Sequence, residues 1–233
     1  MKKKLSLFLA IVLAVTLFAG CANPSAQAES AASSGVQIVS TIFAPYDFAR
    51  QITAGTNATV TMLLQPGEEV HSFDPTTQDI LRIQNADLFL YVGGENDAWV
   101  ENVLSGLDTN VHTLKLMDCV TLFEEETVEG MQAEEETSGA AAADTTEWDE
   151  HVWTAPQNAI SIVASMTDEL CRIDPGNADV YRANASAYTA ELTALDDSFR
   201  DVVDHSARKT VVFADRFPAR YFVEEFDLTY YAA

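Results

Sequence analysis

"ATVTMLLQPGEEVHSFDPTTQDILRIQNADLFLYVGG", residues 58–94, decides the fold, because it holds a strand, a helix and a second strand in succession. "ATVTMLLQPG" reads as a strand with a Pro-Gly stop. "PTTQDILRIQNA" reads as a helix started by threonine caps, and "DLFLYVGG" as a nearly continuous apolar strand. Working outward, Val36 to Ser40 reads as an earlier strand and Tyr46 to Thr53 as a short helix ended by Gly55. "NDAWVENVLSGL" adds a helix and "NVHTLKLMD" a strand. Strands alternating with helices imply parallel pairing, so residues 36–155 are expected to form an N-terminal α/β lobe.

Residues 156–208 read as helical. "APQNAISIVASMTDELCRI" is one helix, and Asp174 and Pro175 start another as N-cap and first helical residue. Its expected apolar face is Tyr181, Tyr188, Leu192, Leu195, Phe199 and Val202, spaced for one side of a helix. From Pro175 to about His205 it would run roughly 45 Å, long enough to join two lobes. "KTVVFADRFPARYFVEEFDLTYYAA", residues 209–233, begins the strand–helix–strand pattern again. The expected fold class is α/β: two parallel-sheet lobes joined by a long helix, the second truncated at the C-terminus.

The first twenty-one residues have a basic start at Lys2, Lys3 and Lys4, then an apolar run from Leu5 to Phe18, then small residues before Cys21. That is a secretory signal, short for a membrane-spanning helix. "FAGC" is the pattern of a lipoprotein signal in which Cys21 carries the lipid; ordinary secretion is the alternative. Residues 22–35 read as a polar tether. Without residues 1–21 the chain has ten basic residues against 36 acidic ones, a net charge of −26. Such a surface repels nucleic acid and anionic lipid and attracts cations. Cys119 and Cys171 suit either an exported disulfide or two buried thiols, and their spacing fits no CxxC motif.

Residues 124–150 contain eleven acids and no Lys, Arg or His. A segment of this composition cannot bury a core and reads as a loop. It ends in "EWDEHVWTAP", where His151 follows Asp149 and Glu150. His71 has a like setting in "GEEVHSFDP", after a strand and a Pro-Gly turn, and Asp215 follows the strand "KTVVF". Ligands of open parallel sheets collect beyond the carboxyl ends of strands. Two imidazoles and a carboxylate suit a transition metal. Asp74, Asp149 and Glu150 could support the histidines by accepting their other ring N–H. Spacing alone leaves such a site undecided against two exposed loop histidines. His112, at a strand start, and His205, at the C-terminus of the long helix, read as structural, as do Trp99 and Trp153.

"LQPGEEVHSFDPTTQDILRIQNADLFLYVGGENDAWVENVL", "DEHVWTAPQNAI" and "VVFADRFPARYFVEEFDLTYYAA" strongly resemble, in order, segments of the solute-binding lipoproteins of zinc and manganese ABC importers. The resemblance covers about residues 36–233. It implies two lobes joined by a long helix, with His71 and His151 as metal ligands. The family's usual third ligand is His or Glu, and here Asp215 stands nearest to that place. A fourth, a carboxylate late in the second lobe, would fall beyond Ala233. The family's acidic loop is often His-rich, whereas this one is Glu-rich; it either gathers cations by its field or is a solvated linker.

The function so implied is an exported receptor, lipid-anchored outside the cytoplasmic membrane or periplasmic. It would capture Zn(II) between two lobes and pass it to an ABC permease, with no catalysis. Two imidazoles favour zinc, and an aspartate ligand shifts the site toward manganese. A zinc hydrolase would need an open coordination position and a general base, and there is no HExxH. A metal-independent, adhesin-like lipoprotein is the third class.

Overall fold

Neighbouring residues of the first strand belong to two different cores. In β1 (Gln37–Ser40), Ile38 and Val39 point to opposite faces and both are buried. A parallel sheet covered by helices on both sides requires this. The computed structural model describes residues 35–65, 67–68, 73–107, 111–126, 147–214 and 217–232. The segment expected as a signal, with Cys21, residues 22–34 of the expected tether, residues 127–146 of the acidic stretch, His71 and Asp215 lie outside the described residues.

Strands β2 (Thr59–Met62) and β3 (Leu88–Tyr91) flank β1, and β4 (His112–Lys115) lies beyond β3. The order is β2-β1-β3-β4 with every pair parallel. Helices α1 (Phe43–Thr53), α2 (Thr77–Gln84) and α3 (Ala98–Gly106) alternate with the strands. On one face Val39, Leu63 and Phe89 pack with Ile83 of α2 and Val100 of α3. On the other, Ile38, Leu88 and Leu90 share a core with Phe48, Ala49 and Ile52 of α1. That core also takes Ile162, Val163, Met166 and Leu170 of α4 (Pro156–Ile173) and Tyr181 of α5 (Ala178–His205).

Local chemistry sets the helix ends. Thr76 caps α2: its hydroxyl accepts the Asp79 N–H at 3.3 Å, and the Asp79 carboxylate accepts the Thr76 N–H at 3.0 Å. This reciprocal pair satisfies two N–H groups that the first helical turn leaves over. Asp174 and Pro175 open a 3-10 turn, Pro175–Asn177, and α5 starts only at Ala178. The Asp174 carboxylate accepts from Asn177 Nδ2 and the Tyr181 hydroxyl, both at 2.7 Å. Asn184 of α5 in turn donates to the carbonyls of Ile52 and Ala54, at 2.9 and 2.8 Å, where α1 runs out. Among the described residues no helix is long and apolar enough to cross a membrane.

The face of α5 departs from the expected stripe in its second half. Tyr181 and Leu192 are buried, but Leu195 is 45% and Val202 67% exposed, while Asp196 is 3% exposed. The surface there meets α6 (Arg220–Glu225), and Asp196 turns inward to polar partners. Strands β5 (Thr210–Phe213) and β6 (Thr229–Ala232) pair in parallel on either side of α6 in the chain. Phe199 of α5 packs edge-on against Phe222, with ring centroids 5.0 Å apart. Tyr221 goes further and enters the core shared by β1, α1 and α4.

Candidate metal centre

The chain passes from β1 to β2 on one side of the sheet and then to β3 on the other. At such a reversal of strand order a crevice opens beyond the strand ends, and open α/β sheets receive ligands there. A small cavity at this place is lined by Thr41, Ile42, Leu64, Phe73, Asn96 and Asp97. Thr41 Oγ1 is buried with no hydrogen-bond partner among the described residues.

The loop after β3 is shaped by two carboxylates. Asp97 Oδ2 accepts the N–H groups of Val92 and Gly93 at 2.7 and 3.0 Å. Burial pushes the Asp97 carboxyl up to about 6, against the pull of those two donors and with the Glu150 charge adding to the rise. Glu150 accepts from the backbone and the side chain of Asn96, at 3.0 and 2.7 Å. A Cβ at Gly94, whose φ is +76°, would lie 2.3 Å from the Glu150 carboxyl, so only glycine lets that carboxylate close on the loop. Glu150 thus ties the segment before His151 to the rim of the crevice.

His151 stands at the entry of a 3-10 turn, Val152–Thr154. Asp149 Oδ1 accepts the His151 backbone N–H at 2.8 Å and lies 3.2 Å from the ring Nδ1. With a carboxylate at Nδ1, the neutral imidazole carries its proton there and leaves the Nε2 lone pair for a cation. The ring is 27% exposed, whereas the Asp149 side chain is 7% exposed. Trp153 packs its ring 5.6 Å from the imidazole, centroid to centroid. The two ends of the acidic loop meet at an antiparallel bridge between Glu124 and Trp148, flanked by Glu125 N to Glu147 O at 2.9 Å and Asp149 N to Phe123 O at 3.0 Å.

Of the six residues expected at a metal site, the structure places four. Asp149 lies against His151, Glu150 faces Asn96, and Asp74 is exposed two residues before the capped start of α2. Among the described residues no three His, Cys, Asp or Glu side chains converge on one point. His112 stacks its Nδ1 between Glu169 and Arg172, and His205 bonds the Asp201 carbonyl one turn back at 2.8 Å. Trp99 packs between Phe73 and Phe89. Cys119 and Cys171 are free thiols here, directed to the carbonyls of Lys115 and Ala178. The sequence reading missed Asn96 and Tyr221. "GGEN" carried a signal for the first, since paired glycines mark a close approach. Nothing local marked Tyr221.

A family model described as zinc-uptake complex component A, periplasmic (ZnuA), matches residues 38–233. The chain is 32% identical over 211 residues to the zinc-binding lipoprotein AdcA of Streptococcus pneumoniae, covering 90% of this chain and 40% of that one. It is 31% identical over 218 residues to the high-affinity zinc uptake system protein ZnuA of Bacillus subtilis, covering 91% and 66%. The chain therefore spans less than two thirds of the length of these relatives. Among solved structures it resembles Zn(II)-bound AdcA from S. pneumoniae, with a TM-score of 0.71 and 27% identity over 85% of this chain and 39% of that one. The Zn(II)-bound ZnuA-like domain of the same protein gives a TM-score of 0.70 and 28% identity, over 85% and 67%.

Proposed function

The chain belongs to the zinc-uptake component A family, and on that premise we propose that it is an exported receptor that captures Zn(II) and delivers it to an ABC importer. One observation carries the reading: a buried carboxylate, Asp149, sits on Nδ1 of His151, and the intervening Glu150 bonds Asn96, which lines the crevice where the strand order reverses. This is the arrangement that gives an imidazole its metal-binding tautomer. His71 and Asp215 are the further ligands we assign, and with His151 they supply two nitrogens and an oxygen, a set suited to zinc. The chemistry is binding and release of the ion as cargo. The deep negative charge draws cations toward the protein over a Debye length. Cys21, at the end of the signal segment, is our assigned site of lipid attachment.

The test is metal content and affinity of the full chain, loaded from an equimolar mixture of Zn(II) and Mn(II) and read by mass spectrometry. Zinc is expected to dominate, and His151→Ala to lower zinc affinity about a hundredfold, the share of one ligand among a few. Dominant manganese would replace zinc as the cargo. Unchanged affinity in both His71→Ala and His151→Ala would remove the site.

A further inference from the structure

From helix α6 the Tyr221 phenol reaches the segment that precedes His151. Phe123 and Asp149 face each other as a hydrogen-bonded pair at the base of the acidic loop, next to the Glu124–Trp148 bridge. Such a pair in an antiparallel ladder exchanges two bonds. Only one is direct, Asp149 N–H to the Phe123 carbonyl at 3.0 Å. In place of the other stands the Tyr221 hydroxyl, which accepts the Phe123 N–H at 3.4 Å and donates to the Asp149 carbonyl at 2.7 Å. The phenol is wedged into the ladder at its last rung, and its ring is 1% exposed. Burial holds its pKa up at about 12, so the hydroxyl stays a donor at any physiological pH.

We propose that Tyr221 is a positioning residue for the His151 imidazole: by opening the Phe123–Asp149 rung it sets the place of the Asp149 carboxylate and, through it, the ring tautomer. The inference rests on His151 being a ligand only for its effect on metal, not for its effect on the ring. Asp149 has its N–H on Phe123, its carbonyl on Tyr221 and its carboxylate on His151. Phe123 and His151 are near in the fold through the same segment pairing. Tyr221 alone comes from a distant element, 72 residues along the chain. Removing its hydroxyl either lets the rung close directly or leaves the carbonyl unheld. Both shift the carboxylate from Nδ1. The arrangement also links the seating of α6 to the ligand.

The experiment compares wild type, Tyr221→Phe and Tyr230→Phe. Tyr230 also bonds the acidic loop, but through the Glu126 side chain at 3.3 Å. Imidazole nitrogen NMR of the metal-free protein, with His151 assigned by His151→Gln, reads the tautomer; chelator competition reads zinc affinity. In Tyr221→Phe the Nδ1–H form is expected to give way to a tautomer mixture and zinc affinity to fall about tenfold, as for other residues that orient a ligand. Tyr230→Phe is expected to change neither. An unchanged tautomer in Tyr221→Phe, or the same change in Tyr230→Phe, overturns the proposal. Wild type that binds no zinc would sink the receptor reading, while the tautomer still decides this one. Should Tyr221→Phe fail to fold, 3-fluorotyrosine at position 221 keeps the ring and hydroxyl and strengthens the donor. A shift of the His151 ring signals is then expected, and an unmoved ring overturns the proposal.

Discussion

Helix α6 is seated by two unlike junctions four residues apart. At Tyr221 a neutral phenol fills a gap in a backbone ladder. At Glu225 two carboxylates share donors. Asp196 and Glu225 both ion-pair with Arg200, at 3.0 and 3.2 Å, and both take a hydrogen bond from Gln157, whose side chain reaches Asp196 at 2.6 Å and whose backbone N–H reaches Glu225 at 3.3 Å. Burial, and then the Asp196 carboxyl beside it, push Glu225 up to about 7. Asp196 moves the other way: its burial is outweighed by hydrogen bonds from Gln157, Glu225 and Arg200, which hold it below the usual carboxylate range. The difference teaches that one short helix can be docked by a contact blind to pH and by one that titrates near neutrality.

The largest effect is expected at the neutral junction. Tyr221→Ala should cost about 3–5 kcal/mol of stability, the range for deleting a buried aromatic side chain. Urea unfolding measures it, and a loss under about 1 kcal/mol would mean that the charged end carries the docking. Next is Arg200→Met, which leaves two carboxyls facing each other. Because Arg200 is 44% exposed, the expected loss is only about 1–2 kcal/mol at pH 8. It should shrink at pH 5, where Glu225 is protonated. Equal losses at both pH values would take the carboxylate pair out of the account.

Glu225→Gln tests the titration itself. The folded-state value near 7 lies above the ordinary 4.5, so the folded protein binds more protons than the unfolded chain between those limits. Stability from this group is therefore full below about pH 4.5 and lost as pH rises through 7, on the order of 1 kcal/mol. The variant should flatten that fall while leaving the acid-side loss from Asp196, whose depressed value acts in the opposite sense below its ordinary 3.8. A wild-type curve flat between pH 5 and 8 would break the comparison. The smallest change is expected on α5, where Val202→Ser should stay within about 0.5 kcal/mol because the side chain faces water.

The same contrast separates what could be read along the chain from what could not. Strands β1 to β4 and their helices were legible because each carries its own hydrophobic period, and α2 also its own cap in Thr76 and Asp79. Asp149 was one of three carboxylates that the sequence offered to the imidazoles, and the fold sets it against the His151 ring, two residues along the chain. The apolar stripe of α5 was legible to Leu192 and again at Phe199, which packs on Phe222, but not at Leu195 or Val202. Beyond Leu192, burial is decided by what lies opposite, and α6 brings Glu225 to Asp196 instead of a hydrophobic face to Leu195. Glu150 was read as a neighbour of His151, yet it bonds Asn96, because Gly94 opens a path to the loop after β3.

The sequence by itself determined the alternation of strands and helices, the long helix, the acidic surface and the order of the histidine motifs, since hydrophobic period, capping and charge are properties of neighbouring residues. Only the tertiary structure decided which carboxylate serves the imidazole and what holds that carboxylate in place. Tyr221 meets Asp149 across 72 residues. A contact of that span exists only once the core has closed around it, and no local pattern encodes it.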